Sequence, residues 1–128
     1  MPSLSNPVTW FEIPVNDLAK AKNFYETVLG VELTEAEMGP NKMAWFPMEM
    51  GAAGAAGTLI KGDSYKPARE GSLVYLHVDK IDPTLEAINN VGGKTLMPRT
   101  DIGQHGFIAH FEDIEGNRVA LHESPTES

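Results

Sequence analysis

Shifted by 63 residues, the second half of this chain lies over the first almost without gaps. Val15, Leu18, Ala21, Tyr25, Val28 and Leu33 fall on Val78, Ile81, Thr84, Ile88, Val91 and Leu96, and Gly30 falls on Gly93. Two such units nearly exhaust the 128 residues. An internal repeat constrains the architecture more than any local signal, because each unit is one supersecondary element that buries its apolar face against its copy. The expectation is a single domain over residues 1–128, with a first module at about 6–63, a second at about 70–124, and any pocket shared between them.

Each unit has the same internal order. VTWFEIPV (8–15) is rich in β-branched and aromatic residues and reads as a strand. Leu18, Ala21, Phe24, Tyr25, Val28 and Leu29 then recur at three- and four-residue steps, with Asn16 or Asp17 as the cap and Gly30 at the C-terminus of a helix. VELTEAE, KMAWFPMEM and GTLIKG follow as three short strands. In the second unit SLVYLHVD (72–79) is the strand, Asp82-Pro83 opens the helix and Gly92-Gly93 closes it. Lys94 to Met97, FIAHFE (107–112) and NRVALHES (117–124) are its last three strands. The unit is β-α-β-β-β, an α+β class. GAAGAAG (51–57) has no preceding strand, following helix and lysine in the order a phosphate loop requires, so it reads as a hairpin connection opposite the tight turn DIEGN (113–117).

Composition narrows the function classes. A net charge of −8 with ten Lys plus Arg argues against a nucleic-acid partner and suits a cationic ligand. Scattered acidic residues such as Glu32, Glu35, Glu37 and the tail from Glu123 to Glu127 read as solvated surface. The absence of cysteine removes disulfides, thiolate metal sites and a cysteine nucleophile. The opening MPSLSNPV carries no basic region followed by an apolar run, and no stretch reaches the roughly 20 apolar residues of a membrane span. A cytoplasmic protein with neither a nucleic-acid nor a membrane partner is expected.

WFEIPVNDLAKAKNFYETVLG near the start, the HVDKIDP and AINNVGGK segments in the middle and FEDIEGNRVALHES at the end resemble the glyoxalase/bleomycin-resistance/extradiol-dioxygenase group, the vicinal oxygen chelate superfamily. The resemblance spans nearly the whole chain. It implies two βαβββ modules forming a curved open sheet around a cavity, commonly completed by homodimerisation. It specifies the fold and not the reaction, because this fold hosts several activities.

Metal-dependent members hold a divalent ion through His and Glu side chains on the first and last strand of each module. Carried onto this chain, those positions are Trp10, Leu73, Ala120 and Gly57 or its neighbour, none of which offers a metal-binding side chain. No metal ligands and no cofactor are therefore expected at the usual site. Side chains two apart on a strand share a face, so Glu12 joins Trp10, Tyr75 and His77 join Leu73, and His122 joins Ala120. Trp10, Glu12, Tyr75, His77 and His122, with His105 in the IGQHG loop, are the candidate ligand-binding set. Trp45 and Phe46 are further stacking candidates, the facing of His110 stays open, and Arg118 reads as surface.

Two functions remain open. In one, a small molecule is bound in the cavity without a metal, as bleomycin-resistance members sequester a cationic drug. In the other, the chain is a metal-dependent lyase, isomerase or dioxygenase-type enzyme. There Glu12 or His122 is the catalytic base, and a shifted Glu12, His77 and His122 triad is the possible divalent-metal site.

Overall fold

Both halves fold as a strand, a helix and three more strands, in the order that the repeat requires. The computed structural model describes residues 7–49 and 51–125. The first module comprises β1 (Trp10–Pro14), α1 (Leu18–Leu29), β2 (Thr34–Met38), β3 (Asn41–Trp45) and β4 (Ala56–Lys61). The second comprises β5 (Tyr75–His77), α2 (Ile81–Asn90), β6 (Lys94–Asp101), β7 (Phe107–Glu112) and β8 (Arg118–Glu123). Each module owns a four-stranded sheet, ordered β1-β4-β3-β2 in one and β5-β8-β7-β6 in the other. The first strand of each pairs parallel with the last, the helix serving as part of the crossover that parallel pairing needs.

The helix ends show how closely local signals were obeyed. Asp17 caps α1 by accepting the Lys20 N–H, and Gly30 closes it at φ 67°, a left-handed conformation that glycine adopts without strain. The second helix departs from expectation. It starts at Ile81, not after an Asp82 cap, and its N-cap Lys80 makes no side-chain capping bond. Pro83 falls inside the first turn, where a missing N–H leaves no bond unmade. The free Ile81 N–H is instead taken by the Glu123 carboxylate at 2.8 Å.

Glu123 is thus a correction to the reading of the tail as solvated surface. It is only 3% exposed, and Arg99 grips both its oxygens at 3.2 and 3.1 Å while the guanidinium lies 3.6 Å from the Phe107 ring centroid. Glu127 lies outside the described residues. The strand expected over 72–79 shortens to three residues, although Val74 and Val78 still bond to β8 through Ala120 N–H and the His122 carbonyl.

A single apolar core runs through both modules. The helices contribute Ala21, Phe24, Tyr25 and Val28 from α1 and Ile81, Leu85 and Ile88 from α2, at the spacing of one helix face. Ile13, Ala44 and Leu59 from one sheet and Ala109, Phe111, Val119 and Leu121 from the other complete it. The turn Asp113–Asn117 fastens the modules together. Asp113 takes the Tyr25 phenol at 2.6 Å, Asn117 donates to the Pro14 carbonyl at 2.7 Å, and Glu115 accepts from the N–H groups of Asn16 and Asp17 at 2.8 and 2.9 Å.

Candidate functional site

The sheet face turned away from the core is where the candidate residues gather, because alternation along each strand sends them opposite Ile13, Leu59, Ala109 and Leu121. On the first module, Trp10 pairs with Ala56 and Glu12 with Thr58, and Trp45 sits across from Thr58 on the other side. Trp10 and Trp45 meet edge to face, centroids 6.0 Å apart, a geometry worth about 0.5–1.5 kcal/mol beyond area burial. Trp10 nevertheless remains 37% exposed. Trp45 Nε1 is buried with no hydrogen-bond partner among the described residues. Tyr65, from the segment linking the modules, lies close enough to Glu12 that the carboxylate's charge raises the phenol pKa.

The second module presents Tyr75, His77, His110 and His122. Tyr75 pairs with Ala120 and His77 with His122, so these side chains share a face. The Tyr75 hydroxyl lies 3.3 Å from His110 Nε2, which settles the facing of His110: it belongs to this polar face. Partial burial, and then the nearby Arg118 charge, lower the His110 pKa and favour the neutral ring. His122 Nε2 lies 2.7 Å from the His105 carbonyl. A carbonyl only accepts, so Nε2 carries the proton and Nδ1 of the neutral ring is left as an acceptor. His105 therefore enters the arrangement through its backbone; its own side chain is exposed in a short 3-10 turn. Arg118 is exposed, as expected.

The usual metal positions are now concrete. Trp10 and Leu73 offer no ligand atom, and Ala120 pairs with Tyr75. The residue corresponding to Ala120 on β4 is Thr58, next to Gly57, since Glu12 and Thr58 pair as Tyr75 and Ala120 do. Its hydroxyl lies 2.9 and 2.7 Å from the Ala44 and Leu59 carbonyls, which engages its one proton and points it into the sheet. These residues do not fit a divalent ion. The shifted triad is corrected as well: among the described residues no group of three or more His, Asp or Glu side chains is gathered to hold one. His77 and His122 do approach, with ring centroids 6.2 Å apart. Glu12 stands on the other sheet, beside Tyr65.

Sequence reasoning missed His110 as a partner of Tyr75, although its alternation with Ala109 and Phe111 carried the signal. The pocket expected between the modules has a counterpart in a cavity of about 620 Å3, but this lies on the helix side of the sheets, a placement the sequence did not signal. A smaller crevice of about 210 Å3 includes Glu12 and Arg118.

Tandem βαβββ modules with a polar and aromatic face on each sheet define a vicinal-oxygen-chelate type of protein, and comparison with known proteins agrees. The chain belongs to the Glyoxalase/Bleomycin resistance protein/Dioxygenase superfamily, whose family profile matches residues 8–121. It is similar to a glyoxylase-like domain-containing protein of Didymella fabae, 28% identical over 122 residues that cover 92% of this chain and 94% of that one. Among solved structures, it resembles a glyoxylase/bleomycin resistance protein/dioxygenase domain from Frankia sp. EAN1pec, with a TM-score of 0.71 at 18% identity, covering 95% of this chain and 99% of the other. It also resembles the genomically encoded fosfomycin resistance protein FosX from Listeria monocytogenes, with a TM-score of 0.64 at 21% identity, covering 98% and 96%. No helix among the described residues is long and apolar enough to cross a membrane.

Proposed function

We propose that this protein binds a small, flat, cationic or polarisable molecule on the open sheet face without the superfamily's usual metal, acting as a homodimer whose second copy closes that face. The observation that carries the reading is Trp10. It stands where a metal ligand would, it is 37% exposed, and with Trp45 it forms an aromatic corner on the strand face that also carries Glu12, two residues along β1. A cation over an indole face is stabilised by the ring quadrupole, by about 0.5–2 kcal/mol depending on desolvation. The net charge of −8 adds long-range attraction for such a ligand. Exposed Tyr75, 47% accessible, supplies a second aromatic surface on the other module.

Titration of the protein with ethidium, followed by tryptophan fluorescence, tests this. Quenching that saturates, weakens with salt and is lost in Trp10→Ala supports it. Saturating quenching that Trp10→Ala and salt leave unchanged contradicts it.

One observation favours an enzymatic second reading. His122 Nε2 is tied to the His105 carbonyl, so the Nδ1 lone pair is the ring's available base, with Tyr75 and His110 as a neighbouring hydroxyl and imidazole pair. In that reading His122 or Glu12 removes a proton next to a carbonyl. Proton exchange at the α-carbon of a ketone substrate, lost in His122→Ala, is its test.

A further inference from the structure

The two module junctions are built from equivalent elements but are filled unequally. Val15 and Val78 are equivalent, each donating its N–H to the strand alongside at 2.9 Å, to the Ile60 and His122 carbonyls. Asp17 and Lys80 are the equivalent helix caps. The N–H groups of Asn16 and Asp17 therefore correspond to those of Asp79 and Lys80. At the first junction the Asp113–Asn117 turn supplies Glu115, whose two carboxylate oxygens take the Asn16 and Asp17 N–H groups. The connection that would serve the second junction is the β3–β4 loop. Residues 51–55 of that loop, Gly-Ala-Ala-Gly-Ala, carry no side chain longer than a methyl. Where the turn would sit there is the cavity of about 620 Å3, bordered by Ala55 and Gly57 on one side and by Asp79 and Lys80 on the other.

We infer that this cavity is a second binding site, for a small apolar carboxylic acid whose carboxylate takes the N–H groups of Asp79 and Lys80 as Glu115 takes those of Asn16 and Asp17. Its volume falls within the roughly 300–1,000 Å3 of small-molecule pockets, and the walls are mainly aliphatic and aromatic. Phe11 and Phe46, centroids 5.6 Å apart, supply the aromatic part. Polar groups are confined to the β5–α2 end, where an acid's head would lie. Among the described residues, the Asp79 and Lys80 N–H groups have no hydrogen-bond partner, whereas the next one, Ile81, is already taken by Glu123. Charge is no obstacle. The Asn16 and Asp17 pair carries a formal charge of −1 and still holds a carboxylate, while in the second junction the Lys80 ammonium offsets Asp79. The site lies on the helix side of the sheets and is distinct from the open face of Trp10 and Glu12, so it stands whether or not that face binds a ligand.

The test is binding of 2-naphthoate, followed by calorimetry and native mass spectrometry, with naphthalene-2-carboxamide as the uncharged control. One naphthoate per chain is expected, with the carboxamide weaker by about tenfold, equivalent to about 1.4 kcal/mol. Val31→Trp, which fills the cavity from the first module, removes binding, and Trp10→Ala leaves it intact. Should Val31→Trp lose its fold by circular dichroism, Thr84→Trp fills the cavity from the opposite wall and decides the matter. Absence of naphthoate binding, equal affinity for acid and amide, or binding lost in Trp10→Ala but kept in the folded cavity-filling variant would each overturn the inference.

Discussion

The Tyr25 phenol in α1 donates a 2.6 Å hydrogen bond to the Asp113 carboxylate in the β7–β8 turn, 88 residues further along the chain. Both groups are buried, and Asp113 also accepts from the Glu115 and Asn117 N–H groups at 2.8 and 2.9 Å. The bond ties one copy of the repeat to the other through the core. Tyr25→Phe leaves a buried acceptor one partner short, so a loss of about 1–3 kcal/mol is expected in urea unfolding. A double-mutant cycle with Asp113→Asn measures the coupling directly. A loss below about 0.5 kcal/mol would mean that this bond adds little to what the Asn117 and Glu115 bonds and the apolar core already hold together.

Glu123 and Asp113 pull the pH dependence in opposite directions. The Arg99 guanidinium first, and the Ile81 N–H second, hold the Glu123 carboxyl below its usual range. Its stabilisation is complete above the unfolded value near 4.5 and is lost as pH falls through the folded value. Burial raises the Asp113 carboxyl, against the hydrogen bonds from Tyr25 and Asn117. Its contribution is therefore greatest in acid and declines as pH rises from the ordinary carboxylate range to the folded value. Glu123→Gln should lower stability at pH 7 and flatten the decline below pH 4.5, whereas Asp113→Asn should steepen that decline. Urea midpoints between pH 3 and 7 for the three proteins check both signs.

Gly57 faces the Phe11 ring so closely that an added methyl would fall within the ring's own volume. Gly57→Ala must push Phe11 aside, at a cost of about 1–3 kcal/mol. Because Phe11 also lines the helix-side cavity, the variant should change naphthoate affinity while leaving ethidium quenching at Trp10 unaltered. Thermal unfolding read alongside the two titrations tests the pair of effects, and unchanged stability would contradict the close packing.

The neutral His122 ring is expected to be protonated at Nε2, because the atom 2.7 Å away is the carbonyl of His105. Long-range proton–nitrogen NMR correlations identify the tautomer. His122→Ala should also release the Gly103–His105 turn and accelerate amide exchange there. An Nδ1 tautomer would contradict the assignment of the base.

Much of this arrangement was legible in the chain, and the unread parts share a physical cause. The repeat announced both modules, and the Asp17 cap and Gly30 stop were read correctly because each is satisfied within four residues. Lys80 replaced the expected Asp82 cap because a carboxylate 42 residues away, Glu123, took the Ile81 N–H. Local propensity has no access to such a partner. Glu123 looked like one more acidic residue in a polar tail until Arg99 was placed against it. Trp10, Glu12, Tyr75, His77 and His122 were assigned to faces by alternation alone, and the strand pairings agree. What alternation could not supply was the position of one sheet relative to the other, and so the Glu12, His77 and His122 triad did not assemble.

A native mass spectrum of protein purified without chelator or affinity metal tests the central claim most directly, since it reads oligomer, metal and retained organic ligand together. The account predicts a dimer without stoichiometric metal that takes up an aromatic cation and loses it in Trp10→Ala. A stoichiometric divalent metal, lost in Glu12→Ala or His122→Ala, would contradict it.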